Sequence, residues 1–308
     1  MDKYLTFEAY KKIWSQPVKS VSVEYDGIKL HEGGDEVVKA LKTFEVRDED
    51  SWVVTFPKAG TTWVQEIMSC VMHDGDLEAV NKRHTVFRVP FLEMSPPSSV
   101  LQGKTVPKTH KIVDSIPSPR VIKSHLPGQF LPPQLWEKKA KIVYVIRNPK
   151  DVVVSYFYFT KMVDPEQKEQ SFGEFFDDMM NGKVEYGPWW DHYLFFWKKR
   201  HDPKILLVRF EHLKRDLRGS VEKISKFLGK DFSAATLDAI TEHCTFANMK
   251  KNPMSNPDSI WVPAEAATSF MRKGKVGDWK SHFTVAQNEA MDAFIRDRFY
   301  GTGLAFDY

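Results

Sequence analysis

An α/β fold, a single domain over residues 1–308 with a central parallel sheet flanked by helices, is what the sequence predicts. Short runs rich in β-branched residues stand at Ser51–Phe56, Lys141–Ile146 and Ile205–Val208, with a weaker one at Arg120–Lys123. None alternates cleanly with polar residues, which is how strands buried on both faces of a parallel sheet read. Helical periodicity follows the first two at Thr62–Met72 and Pro149–Lys161, and the third after a short turn at Leu213–Leu228. Strand–helix alternation of this kind implies right-handed crossovers.

Taken in order, Thr62–Met72 opens directly on a turn containing Gly60, and Pro149 stands where a first-turn proline is tolerated. Gln287–Phe299 reads as a late amphipathic helix. Met94–Pro119 and Asn252–Gly277 gather much of the Pro, Ser and Gly and read as long functional loops, since neither borders a separable domain. Lys and Arg total 44 against 41 Asp and Glu, a net charge of +3. That balance does not suggest a bulk nucleic-acid binder, so any anion site must arise from local placement. Two cysteines, Cys70 and Cys244, exclude a disulfide framework and cannot build a tetrahedral zinc site alone. Met1–Tyr10 has no apolar run of signal-peptide length, and no stretch is long enough to span a membrane. The expectation is a cytoplasmic protein.

The segment Thr55-Phe56-Pro57-Lys58-Ala59-Gly60-Thr61-Thr62-Trp63 leads from a strand into a helix. A helix N-terminus offers unpaired N–H groups and the positive end of a dipole. Gly60 admits an oxyanion close to the backbone, Lys58 adds a cation, and Thr61 and Thr62 add hydroxyls. No Gly-Lys-Ser/Thr closes the loop, so it is not a Walker A motif. An ordinary strand–helix turn carrying a lysine is the competing reading. A second anion element is Arg147 at the carboxyl end of the Lys141–Ile146 run, with Ser155 two helical turns on. A third is Arg272-Lys273-Gly274, two cations beside a glycine. Lys123-Ser124-His125 follows the Arg120 run. Most of the ten histidines should be structural, but His125 lies just past a strand's carboxyl end, where an imidazole can take a proton from a hydroxyl near pH 7.

With these elements in one order, the chain resembles the cytosolic sulfotransferases from about Trp52 to Glu289. The resemblance implies a P-loop nucleotide-kinase-like fold and transfer of a sulfuryl group from 3′-phosphoadenylyl sulfate (PAPS), leaving PAP, to a hydroxyl of a small apolar acceptor. It implies that Lys58, Ala59, Gly60, Thr61 and Thr62 hold the phosphosulfate and that Trp63 packs on the adenine. Arg147, Ser155, Arg272, Lys273 and Gly274 take the 3′-phosphate, and Phe246 lies on the adenosine side. His125 becomes the general base, with Lys58 and Lys123 at the transferring group and no metal required. Phe91, Lys123, His125 and Tyr158 then line the acceptor pocket, together with the run Tyr186–Trp190. Tyr193–Trp197 reads rather as helix core. The segment Lys280–Glu289 matches a dimer-forming pattern of the family and implies a weak homodimer; the alternative is a bare helix entry with Thr284 as N-cap.

The chain departs from the family where Phe210 replaces a tyrosine and Cys244 a threonine or serine, both on the adenosine side. Its Met94–Pro119 segment is longer and is expected to lie over the acceptor. Three other readings remain: a P-loop small-molecule kinase, a noncatalytic nucleotide binder, and sulfonation of an allylic alcohol followed by elimination.

Overall fold

The computed structural model describes residues 21–94, 108–164, 167–261 and 269–308. A hairpin opens it, β1 (Ser22–Tyr25) and β2 (Ile28–His31), turning at Asp26 and Gly27 with φ of 48° and 78°. Paired positive φ values give the turn whose twist matches antiparallel strands. Helix α1 (Gly34–Leu41) follows. Then come β3 (Ser51–Thr55), α2 (Thr61–Met72), α3 (Thr109–Asp114), β4 (Val121–Ser124), β5 (Lys141–Ile146) and α4 (Pro149–Val163). The second half holds α5 (Phe172–Met180), α6 (Trp189–Lys198), β6 (Ile205–Arg209), α7 (Phe210–Arg215), α8 (Leu217–Leu228), α9 (Ala234–His243), α10 (Phe246–Lys251) and α11 (Val285–Arg298).

The four strands β4-β3-β5-β6 are parallel, in that order, so the predicted sheet is present and its central strand β3 is the one that feeds the anion loop. Both faces are packed. Trp52, Val54, Ile142, Tyr144 and Ile146 enter one apolar cluster, and Val53, Val143 and Val145 the other. This double burial is why the runs do not alternate in polarity.

Two expectations change. The Leu213–Leu228 helix is interrupted at Asp216, whose backbone (φ −142°, ψ 83°) leaves the helical region and whose side chain instead caps α8 through Gly219 N at 2.8 Å. The Met94–Pro119 segment is not all loop, because α3 forms within it; residues 95–107 lie outside the described residues. The β1–β2 hairpin was overlooked, although Asp26-Gly27 between Ser22–Tyr25 and Ile28–His31 is a hairpin turn signal.

At the amino end of the sheet Arg120 and Asp50 form a buried ion pair, with Nε to Oδ1 at 2.8 Å and Nη2 to Oδ2 at 2.5 Å. Arg120 also donates to the carbonyls of Glu45 (2.9 Å) and Val113 (3.2 Å), joining β3, β4 and α3. Arg120→Ala should therefore lose about 3–5 kcal/mol of unfolding free energy, because Asp50 stays buried without its partner. Urea denaturation checks it, and a loss under about 1 kcal/mol would show that Asp50 finds another partner.

Candidate active site

All four parallel strands end on one side, and there a cavity of about 330 Å³ opens. The carboxyl ends of such a sheet are where α/β proteins bind ligands. Lys58, Gly60, Thr61, Thr62 and Trp63 line it. Among the described residues the N–H groups of Gly60, Thr61 and Thr62 have no acceptor, while Trp63 N and Val64 N return to Gly60 O at 3.1 and 3.3 Å. Three free amides at a helix start, with Lys58 at a positive φ of 67°, make an anion nest. Gly60 is required twice over. Its φ is 113°, and a Cβ there would lie 2.7 Å from the Phe210 ring. Ala59 does not fit its expected place. It is fully buried away from the cavity, and its N–H donates to Phe56 O at 3.3 Å.

Arg147 sits in the middle. Its Nη1 donates to Lys58 O at 3.0 Å and its Nη2 to Lys275 O at 3.4 Å, and the guanidinium lies 4.2 Å from the centre of the Phe210 ring. Among the described residues its buried Nε has no partner. Ser155 lines the same cavity from α4, and so do Arg272, Lys273 and Gly274. Asp151 pins that last loop, accepting from Gly277 N at 2.7 Å and Trp279 N at 3.0 Å. Arg272 and Lys273 are not bare cations, because each ion-pairs with Asp278, at 2.6 and 2.7 Å. Gly274, at φ 59°, lets Phe246 approach where a Cβ would stand 2.5 Å from its ring. Trp63, Phe210 and Phe246 form an aromatic cleft, and Trp63 is fixed by an Nε1–H bond to Cys244 O at 2.7 Å. Cys244 thus reaches this cleft through its carbonyl.

Across the cavity His125 follows β4. Its Nδ1 lies 2.9 Å from Thr55 O, an acceptor only, so Nδ1 carries the proton and the Nε2 lone pair is free among the described residues. Thr55 Oγ1 stands 2.6 Å from Thr61 Oγ1 and thereby ties the imidazole to the anion loop. The His125 N–H donates to Glu93, and its carbonyl accepts from His192 Nε2 at 3.1 Å. Phe91 and Tyr186 meet the ring edge to face at 5.0 and 5.5 Å. Burial, with Lys123, His192 and Lys58 adding like charge, holds His125 well below its usual range, so it is a neutral acceptor of protons. Lys123, 3.9 Å above the Phe91 ring, is brought down to about 8 by burial, with Glu93 opposing. Burial, then Lys123 and Arg147, holds Lys58 well below its usual range as well.

The side expected to take the acceptor is lined by Phe91, Met94, Lys123, His125, Tyr156, Phe159 and Tyr186. Tyr158 is not among them. Its hydroxyl bonds His282 Nε2 at 3.1 Å and its ring underlies Arg272 at 4.5 Å, so it buttresses the third anion loop instead. Of the run Tyr186–Trp190 only Tyr186 reaches the cavity; Trp189 and Trp190 are core, as are Tyr193 and Phe196. Sequence reading missed His31 and Glu185, which also line the acceptor side, and Thr55 and Glu93 behind His125.

Comparison with known proteins fits this geometry. The Sulfotransferase domain family matches residues 48–303. Sulfotransferase 1C2 of Homo sapiens is 37% identical over 285 residues, covering 92% of this chain and 94% of that protein. Mouse sulfotransferase SULT7A1, solved as a complex with PAP, superposes with a TM-score of 0.70 at 27% identity, covering 91% of this chain and 94% of the other. Retinol dehydratase, solved with retinol and PAP, shares the fold with a TM-score of 0.84 at 24% identity, over 99% and 98% of the two chains. The chain belongs to the sulfotransferase family. It is a PAPS-dependent sulfotransferase, which sets aside the kinase and noncatalytic readings.

Lys58 and Lys123 have a direct consequence. Both are depressed by burial, Lys58 also by Lys123 and Arg147, and a bound anion favours their charged forms. Nucleotide binding should therefore take up protons at pH 8, and PAP affinity should fall as pH rises from 7 to 9. Calorimetry in buffers of different ionisation enthalpy measures this; zero uptake at pH 8 would show that both lysines are already charged in the free protein.

Proposed function

We propose that this protein transfers the sulfuryl group of PAPS to the hydroxyl of a small, ring-bearing apolar acceptor, with His125 as general base. One observation carries the reading. The His125 imidazole has its Nδ1 committed to Thr55 O and its Nε2 free among the described residues, at the junction between the anion loop and an aromatic pocket. In this reading the nest at Gly60–Thr62 with Lys58 takes the phosphosulfate, and Trp63, Phe210 and Phe246 enclose the adenine. Arg147, Ser155 and the Arg272–Gly274 loop take the 3′-phosphate. Sulfuryl transfer resembles phosphoryl transfer in needing in-line geometry and positive charge at the moving group. Lys58 and Lys123 supply that charge, so the reading routes no step through a metal ion. The acceptor approaches from the Phe91–Tyr186 side. Its proton passes to His125 Nε2 as oxygen bonds to sulfur and the phosphate oxygen departs.

His125→Ala should lower turnover by about 10²–10⁴-fold. PAP affinity measured by calorimetry should hold, since the anion loop is built by other residues. Sulfated product is read by mass spectrometry with PAPS and a panel of phenols and alcohols. Turnover near that of the unaltered protein would remove His125 from the chemistry.

We further propose weak self-association through Lys280–Glu289. Thr284 caps α11 in a reciprocal box with Gln287, which leaves Val285 75% exposed at the helix start. A patch this short is below the size of a standard interface, so the dimer should dissociate on dilution. Val285→Glu should give a monomer by sedimentation that still turns over. A monomeric unaltered protein at tens of micromolar would refute the dimer.

A further inference from the structure

Among the described residues, the acceptor side of the cavity holds a carboxyl group that neither the chemistry nor the packing uses. His31 is satisfied at both nitrogens, with Nε2 against Glu93 O at 2.7 Å and Nδ1 against the Tyr186 hydroxyl at 3.1 Å. That second contact also satisfies Tyr186, and Tyr156 reaches the Glu185 carbonyl at 3.5 Å. Lys123 is engaged with Phe91, and His125 Nε2 awaits the reacting hydroxyl. Glu185 lines the cavity as well, and among the described residues its carboxyl has neither a hydrogen bond nor an ion pair.

The backbone presents it there at a cost. Consecutive residues of an extended segment point to opposite sides, yet Glu185 and Tyr186 both line the cavity. Tyr186 has a φ of 69°, a left-handed conformation that a bulky residue rarely adopts, and Gly187 follows at 78°. Strain of this kind persists only where the surroundings enforce it, and it gathers at binding sites. Here β2 enforces it, since Tyr186 N donates to Lys29 O at 2.7 Å and Glu185 bridges Lys29.

Resting on the sulfotransfer reading of this same cavity, we propose that Glu185 is the specificity-determining residue of the acceptor side and selects hydroxyl compounds that carry an ammonium group beyond the ring. A half-buried carboxylate without a hydrogen-bonded partner gains from a cation. Burial raises the Glu185 carboxyl to about 7, with Lys29 drawing it down and Asp164 pushing it up, so a bound cation would settle it in the charged form. The lysines and arginines at the other end are matched by the anionic nucleotide, so they do not repel a cationic acceptor once PAPS is bound. Tyr156 and Tyr186 supply aromatic faces that attract an ammonium as well.

Tyramine, tyrosol and para-ethylphenol share one phenol and differ only at the end of the side chain: ammonium, hydroxyl or nothing. Each is titrated by calorimetry into the PAP-saturated protein, and turnover with PAPS is followed in parallel. The proposal expects tyramine to bind about tenfold tighter than para-ethylphenol or better, and Glu185→Gln to abolish that advantage, with an unchanged melting temperature showing that the variant is folded. Equal binding of all three by the unaltered protein overturns it. So does tyrosol matching tyramine, or an advantage that survives Glu185→Gln. Should Glu185→Gln not fold, the three-ligand comparison in the unaltered protein decides alone. Selective binding without sulfated product would support the Glu185 assignment and count against the transfer reading.

Discussion

Arg147 donates to two backbone carbonyls that are far apart in the chain, Lys58 O at 3.0 Å and Lys275 O at 3.4 Å. Because the arginine stands at the carboxyl end of β5, these bonds fasten the loop after β3 and the loop before α11 to the sheet itself. Phe210, at the end of β6, closes the third side by packing on the guanidinium and over Gly60. One buried side chain therefore sets the spacing between the two anion elements. A lysine could not replace it, since a single ammonium has neither the planar fork nor the flat face that stacks on Phe210.

The resulting site concentrates positive charge among buried side chains. Lys58, Lys123, Arg147 and Arg272 repel one another, and burial depresses the two lysines. Burial first, and the same crowding second, hold His125 neutral. The base is thus ready chiefly because it is out of water, with the cations beside it adding to the effect. Thr55 is the mechanical link, as its carbonyl fixes the His125 tautomer while its hydroxyl meets Thr61 on the anion loop.

Much of this was legible in the sequence. Ser51–Thr55, Lys141–Ile146 and Ile205–Arg209 announced themselves because both their faces are buried. Lys58, Gly60, Arg147 and His125 stood out because each follows such a strand. What failed was angular or long-range. On α4 each residue turns about 100°, so Ser155, Tyr156, Phe159 and Val163 share the cavity face while Tyr158 points to His282. Ala59 was lost to a local turn bond with Phe56 O. The roles of His31 and Glu185 depend on the β1–β2 hairpin meeting residues more than a hundred positions later, which no local pattern records.

Asp278 gives the third anion loop an unusual resting state, since Arg272 and Lys273 are already paired with it. If the loop takes the 3′-phosphate as proposed, that phosphate would compete with one carboxylate rather than fill a void, and its departure would hand both cations back to a waiting partner. The loop behaves as an exchanger whose net grip is the difference between two anions. An enzyme that must shed a spent nucleotide every cycle gains from that arrangement in throughput what it gives up in tightness.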